Sequence, residues 1–347
     1  MKRYKNLFDS VCSFENLHAA AVKALKGKRG KRPGAVFFDR MEEEIMALRE
    51  ELLSGFYRHG EYHYFDIHEP KHRTVAAAEF RDRVVHHAII RVIEPLFENR
   101  FIEDSYACRM NKGTHAGMKR AAYYARRFAY VLKCDIRKYF AHIDHEILLE
   151  LFARVIGDKK LLDLLEHIID SHCDGQRLIV PGGGLPLFDG RWISRGLPIG
   201  NLTSQFSANV YLDPLDHFVK HELRCKGYVR YMDDFLLFGD DKQQLRDWGD
   251  AIHEIVNGLR LEIHPDKYRL LRCKYGVDFC GFVVFGNGRI RIRRTTVRRF
   301  HKRFKRNLKA VNNRTGDIAS LSQSVAAWVG HVKHAQSWNL RKAVLCG

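Results

Sequence analysis

Residues 228–238 read YVRYMDDFLLF, two apolar β-forming runs with Asp233 and Asp234 between them. The pattern predicts a β-hairpin with the acids at its turn. A second stretch carries the same anomaly. Residues 130–136 (YVLKCDI) form a short apolar strand, and Asp135 stands near its end. A bare carboxylate beside a packed sheet pays a large desolvation penalty, which a basic partner or a metal cation offsets. Mg²⁺ favours one or two carboxylates plus substrate phosphates. Two such ions stabilise both the attacking and the leaving oxygen of phosphoryl transfer. If the two strands are neighbours, their acids build that clamp. In the plainer reading, Asp135 caps a helix and Asp233–Asp234 is a solvated turn.

Outward from this pair, other elements are readable. In FDRMEEEIMALREELLSG (38–55), Asp39 is an N-cap candidate, acids fill the first turn and Gly55 is a stop, so a helix is predicted there. The basic, Gly-punctuated segment from Lys23 to Gly34 reads as a loop. Short strands are predicted over 56–75 around Glu69–Pro70, then a helix from Arg81 to Phe97. Asp144 is a candidate N-cap for DHEILLELFARVI. Residues 161–172 read as helical, and the Gly-rich 173–195 as a hairpin or loop. A helix follows in SQFSANVYLDPLDHFVKHEL, which Pro214 can kink, and another from Trp248 to Leu259. Strands are predicted from Tyr275 to Phe285 and from Arg289 to Ile292, around GNG at 286–288. From Thr295 onward the chain reads as basic and helical.

The formal net charge of the 347 residues is +18, unevenly spread. From Arg289 to Gly347 there are fifteen Lys and Arg against one acid, Asp317. From Met1 to Ala35 there are nine against two, which leaves the centre nearly neutral. Basic blocks of this kind favour a polyanion, most often nucleic acid; a solvated basic surface is the bland alternative. The hydrophobic fraction of 46% is too high for a disordered chain. No apolar run approaches the roughly 20 residues of a membrane span. The start, MKRYKNLFDS, has no signal-peptide core, and the eight Cys form no CxxC pair. These features imply a cytoplasmic chain with reduced thiols. The 19 His include ligand-like spacings, at His68/His72, His142/His145 and His331/His334, but no set of four converging ligands.

In order along the chain stand PKHRTVAAAEFRDRVVHHAI (70–89), SYACRMNKGTHAGM (105–118), LKCDIRKYF (132–140) and GLPIGNLTSQFSANVYL (196–212). YMDDFLLF (231–238), LEIHPDKYRLL (261–271) and FCGFVVF (279–285) follow. These seven strings resemble the successive fingers and palm motifs of reverse transcriptases, and they cover most of residues 64–288. The string Ile199-Gly200-Asn201-Leu202-Thr203-Ser204-Gln205 narrows the resemblance. Most of the family carries Gln before this Gly and ends the motif in Ser-Pro. Ile199 and Ser204-Gln205 are similar to the reverse transcriptases of diversity-generating retroelements.

The resemblance implies an α+β right-hand polymerase fold. Its parts would be a basic N-terminal extension (1–35), fingers and palm (36–288) and a short basic helical thumb (289–347). It implies that Asp135 and Asp233 bind two Mg²⁺ ions, which Mn²⁺ could replace, with the Ile136 carbonyl as a further ligand. Asp234 would be a weaker ligand. Phe140 would be the wall that excludes a ribose 2′-hydroxyl. Lys71 and Arg73, at alternate positions in a β-like stretch, would hold the triphosphate, whereas solvated helix positions suit Arg81 and Arg83 as well as a site role. Lys267 resembles the lysine that assists pyrophosphate departure, and Ile199 and Gly200 would line the nucleotide pocket. In RIRRTTVRRFHKRFKRNLK (291–309), Arg291, Arg293, Arg294, Arg298, Lys302 and Lys305 would grip the template–primer duplex. Phe300 and Phe304 could anchor this helix, with Trp328 and Trp338 in the thumb core.

The expected function is RNA-templated DNA synthesis that is error-prone at adenines and diversifies a target gene. The partners would be a template RNA, the RNA–DNA hybrid, dNTPs and a small oligomeric accessory variability protein. Two other readings stay open at this point. One is a bacterial reverse transcriptase, such as an antiphage-defence enzyme, with a dedicated noncoding RNA. The other is a noncatalytic RNA-binding scaffold.

Overall fold

The computed structural model describes residues 3–28, 30, 32–68, 72–172, 178–180 and 191–346. Among them, eleven strands occur in chain order: β1 (His63–Ile67), β2 (Arg73–Ala77), β3 (Tyr130–Asp135), β4 (Leu178–Val180), β5 (Arg191–Ile193), β6 (Gly227–Tyr231), β7 (Asp234–Gly239), β8 (Arg269–Arg272), β9 (Val277–Phe279), β10 (Phe282–Val284) and β11 (Ile290–Ile292). Every ladder between them is antiparallel, and helices fill most of the remaining chain. The α+β expectation holds. The chain forms two compact units, each assembled from separated segments.

The first unit comprises Met1–Ile102, Arg137–His217 and Ile255–Glu262. Ser13 caps helix Phe14–Leu25 by accepting from the Asn16 N–H at 3.2 Å. This helix packs on Phe80–Glu98, where Asn16 Nδ2 donates to the Ala88 carbonyl at 3.0 Å. Val84, Val85, Ala88, Ile89 and Ile93 are buried along Phe80–Glu98. Each such valine or isoleucine, when fully buried, stabilises by about 1.5–3 kcal/mol. Helix Met41–Ser54 ends as predicted at Gly55, at φ +77°.

The predicted basic loop over Lys23–Gly34 is corrected. Helix Phe14–Leu25 runs three residues into it, and a further helix, Arg32–Asp39, begins before its end. Leu17, Ala20, Ala21, Ala24 and Leu25 make one buried face, which carries the first helix on. Pro33 is tolerated in the second because it stands in the first turn, where its missing N–H has no intrahelical partner. The turn predicted at Glu69–Pro70 and most of the Gly-rich 173–195 segment lie outside the described residues.

The second unit comprises Glu103–Ile136, Phe218–Glu254 and Ile263–Gly347. Its centre is a four-stranded sheet in the order β6-β7-β3-β8. The two middle strands bury Val131, Leu132 and Cys134 on β3 and Phe235, Leu236, Leu237 and Phe238 on β7. Near-continuous apolar runs of this kind mark strands covered on both faces. Gly249 lets helix Lys242–Gly258 approach closely, since a Cβ there would collide with the Tyr268 hydroxyl and lie 3.1 Å from Leu132 Cδ2. Met118, Ala121 and Ala122 join Phe279, Phe282, Phe300 and Trp328 in one core.

The strand predicted from Tyr275 to Phe285 is instead β9 and β10, turned at Cys280 and Gly281. Both residues have positive φ (+51° and +84°), as a two-residue hairpin turn requires. Cys is apolar, so the turn is hidden in the hydrophobic run. Helices Arg294–Asn312, Ile318–Val332 and Trp338–Leu345 follow. Phe300 stacks on buried Trp328 with ring centroids 4.2 Å apart, and on Phe304 at 5.9 Å. Trp338 is not in the core: it is 70% exposed at the start of the last helix, with the Arg341 guanidinium 5.3 Å from its ring centroid. That helix buries Val344 in its place.

Candidate active site

The register of β3 against β7 sets Asp135 directly opposite Asp234. Met232 and Asp233 form the turn between β6 and β7, with Met232 in the left-handed region at φ +59°. The Ile136 N–H donates to the Asp233 carbonyl at 3.1 Å, which ties the end of β3 to that turn. The Asp135 carbonyl accepts from the His264 N–H at 2.8 Å, and Ile136 bridges Ile263. These bonds fix the short helical turn Pro265–Lys267 beside the acids, and Lys267 Nζ lies 2.5 Å from Asp135 Oδ1. Three carboxylates from two strands and a turn thus gather at one end of the sheet.

Burial of Asp135 is nearly complete, with 9% of its surface exposed. Burial pushes the Asp234 carboxyl up to about 7; Lys133 opposes the rise, and the charges of Asp135 and Asp233 add to it. Lys133 Nζ donates to Asp234 Oδ2 at 3.3 Å and to the Asp278 carbonyl at 2.5 Å. Asp234 Oδ1 is buried and has no hydrogen-bond partner. Lys133 was not singled out from the sequence. The signal was there: it lies two residues before Asp135, and alternate strand residues share a face.

These groups suit a hard divalent cation. The donors are carboxylate oxygens, one of them lacks a partner, and ammonium groups already lie against two of the acids. Among the described residues, no three His, Cys, Asp or Glu side chains form a cluster able to hold a metal by themselves. A Mg²⁺ that relies on one or two carboxylates and on substrate phosphates needs no such cage.

The other predicted residues fall into two groups. Arg73, Phe140, Ile199 and Gly200 belong to the first unit. The Ile199 carbonyl accepts from the Ala76 N–H at 3.0 Å. Asn201 clamps the same strand, with Nδ2 donating to the Ala76 carbonyl and Oδ1 accepting from the Ala78 N–H. Gly200 sits at φ +117°, and a Cβ there would lie 2.6 Å from Val75 Cγ1. No side chain fits between this loop and β2. The Phe140 carbonyl accepts from the Leu197 N–H at 2.8 Å, which joins Phe140 to the same loop. Arg73 is exposed at the start of β2, and Lys71 lies outside the described residues. Arg81 pairs with Glu51 at 2.7 Å, and Arg83 Nε donates to the Ala78 carbonyl at 2.8 Å, so both serve the local structure.

In the second unit, Arg294, Arg298, Lys302 and Lys305 are exposed on helix Arg294–Asn312. Their spacing puts them on one face, away from Phe300 and Phe304. Arg291 is exposed on β11, whereas Arg293 is ion-paired with Asp278.

The sequence profile of reverse transcriptases (RNA-dependent DNA polymerases) matches residues 67–284, more than half of the chain. Protein YkfC of Escherichia coli is 25% identical over 327 residues, covering 80% of this chain and 82% of that protein. The group II intron-encoded protein LtrA of Lactococcus lactis is 25% identical over 181 residues, 51% of this chain but only 28% of LtrA. A solved telomerase structure from Candida albicans, with a fragment of telomeric RNA, is similar at a TM-score of 0.45 and 13% identity, over 72% of this chain and 49% of that one. Among the described residues, no helix is long and apolar enough to cross a membrane.

Proposed function

The chain belongs to the reverse transcriptase family, and from that membership we propose that it is an RNA-directed DNA polymerase working by two-metal nucleotidyl transfer. The observation that carries the reading is the pairing of Asp135 with Asp234 beside the turn that holds Asp233. Mg²⁺ held by these acids would supply a lowered pKa for the primer 3′-hydroxyl and charge neutralisation on the triphosphate. Asp135 and Asp233 are the principal ligands, with the Ile136 carbonyl and Asp234 in support. Lys267, within reach of Asp135, neutralises the departing pyrophosphate. Lys71 and Arg73 hold the triphosphate, and Phe140 is the rigid wall against a 2′-hydroxyl. Arg291, Arg294, Arg298, Lys302 and Lys305 grip the hybrid through phosphates, while Arg293 anchors the segment.

The finer reading is an error-prone enzyme of a diversity-generating retroelement, with a template RNA and an accessory protein as partners. The string from Ile199 to Gln205 supports it. Ile199 cannot make the hydrogen bond that a Gln makes to the incoming sugar or template. A lost positioning contact lets misaligned pairs react with less penalty.

Extension of a primed RNA template with dNTPs and Mg²⁺ tests the activity. Absence of product, or product unaffected by Asp233→Ala, sinks it. Sequencing the cDNA tests the finer reading. Errors concentrated opposite adenine, and reduced in Ile199→Gln, are expected. Errors spread over all bases would favour a reverse transcriptase of another retroelement or of a defence system.

A further inference from the structure

At the end of the four-stranded sheet away from the acids, aromatic rings alternate with cations. Tyr130 opens β3, paired across to Gly239 and Arg272. Five residue steps separate it from Asp135, about 17 Å along the strand. Lys242 Nζ lies 5.1 Å and the Arg272 guanidinium 5.9 Å from the centre of its ring. Tyr123, 41% exposed near the end of helix Thr114–Ala125, has the Arg127 guanidinium 4.2 Å from its ring centroid. Tyr275 is 71% exposed, with Lys274 Nζ at 4.9 Å.

The three pairs lie on connected backbone. The Cys273 N–H donates to the Ala129 carbonyl at 2.9 Å. A Cβ at Gly286 would stand 3.3 Å from the Ala125 carbonyl and 3.4 Å from the Lys274 nitrogen. The end of helix Thr114–Ala125, the start of β3 and the end of β8 therefore meet in one rim. Its nearby acids have backbone partners: Asp240 accepts from the Ala129 N–H and Asp241 from the Gln243 N–H, each at 2.8 Å. None of the Arg127, Lys242, Arg272 and Lys274 side chains is ion-paired among the described residues. All four stand outside the two basic blocks, in the stretch whose summed charge is nearly zero.

We propose that this rim binds an unpaired RNA strand, at a site separate from the carboxylates and from the basic C-terminal helices. A guanidinium lying on a tyrosine face keeps its edge N–H groups for phosphate oxygens. Exposed Tyr275 and Tyr123 offer stacking platforms, which an unpaired base can use and a base-paired duplex cannot. The choice of RNA over other polyanions rests on the proposed RNA template. A segment of template outside the copied region would be held here while its copied part passes the acids.

The test uses the full chain presaturated with an unlabelled short RNA–DNA hybrid, so that the hybrid-binding surface is filled. Anisotropy of a labelled oligouridine of about 20 nucleotides then reports the rim. Binding is expected, weakened roughly tenfold or more in Arg127→Glu/Lys274→Glu, with a salt slope shallower by about one to two. Tyr275→Ala should lose roughly three- to tenfold with its salt slope unchanged, because stacking releases no counterions. Both variants should extend the short hybrid like wild type, which separates this site from the polymerase reading and shows that they fold. Unchanged oligouridine affinity in the charge-reversed variant overturns the site. Equal affinity for oligodeoxythymidine overturns its assignment to RNA and gives the rim to the cDNA strand.

Discussion

At the acidic end of the four-stranded sheet, burial pushes Asp234 up to about 7, whereas in helix Phe80–Glu98 it pushes His86 down to about 3 and His87 to about 4. In both places a low-dielectric surrounding disfavours charge. The outcome differs because the neutral forms differ in use. Neutral His86 stacks on His59 with ring centroids 5.3 Å apart, and its Nε2 is buried without a hydrogen-bond partner. Asp234 Oδ1 is equally unpartnered, but Asp234 also has two more carboxylates and the Lys133 ammonium beside it. The histidines serve the fold as they stand. Lys133 and Lys267 offset part of the carboxylates' charge, and the proposed Mg²⁺ would offset the rest.

The sharpest way to break this contrast is Asp135→Asn. It should lower primer extension by about three orders of magnitude or more, since it removes charge from the proposed transition-state clamp. The melting temperature should hold or rise, because a buried charge is gone. A comparable loss of both activity and stability would mean that Asp135 serves the fold as the histidines do.

Next in size is the effect of pH on the metal-free protein. A carboxyl whose folded pKa is raised lends stability that is complete below about 3.8 and is lost as pH climbs through about 7. Asp234→Asn should therefore be more stable than wild type at pH 8 by up to about 4 kcal/mol. The gap should close below pH 4, and Mg²⁺ should narrow it at pH 8. Denaturant titrations across this range, with and without Mg²⁺, read all three outcomes.

His86 should behave in the mirror sense and more weakly. Its folded pKa is depressed, so the unfolded chain binds the extra proton, and stability falls as pH drops through about 6.5 toward 3. His86→Leu should remove up to about 2 kcal/mol of that loss at pH 5. Lys23, Arg83, Arg91 and His59 face this pair of histidines and deepen the depression. An unchanged acid limb in the variant would leave His86 without the role drawn here.

Much of this contrast was readable in the sequence, because acids inside apolar strands are rare and costly. The strand over 130–135 and the hairpin around Asp233 stand out for that reason. What the sequence hid depended on partners distant along the chain. Lys133 reads as a stray charge until Asp234, a hundred residues on, is set beside it. His86 and His87 look like polar residues on a helix until Phe14–Leu25 and His59 cover them. The Cys280–Gly281 turn vanishes into an apolar run, and Trp338, expected in the thumb core, is exposed at the start of the last helix. Charge summed over blocks concealed the Tyr130 rim, since neighbouring acids cancel cations in a sum but not on a surface.

The interleaving of the two units has a consequence for how the protein is made. The first unit is closed by Ile255–Glu262, where Arg260 donates to Asp144 at 2.8 Å and the Leu259 carbonyl accepts from Tyr211. Strand β3 gains its second neighbour, β8, only at Arg269–Arg272. During synthesis neither unit can complete itself as its first segments emerge. A ribosome must add more than a hundred residues after β3 before that strand is flanked on both sides. Contacts of such sequence separation slow folding and expose apolar strands to misassembly. A chain stopped at Gly258 would lack parts of both units at once, so this molecule should be produced whole or not at all.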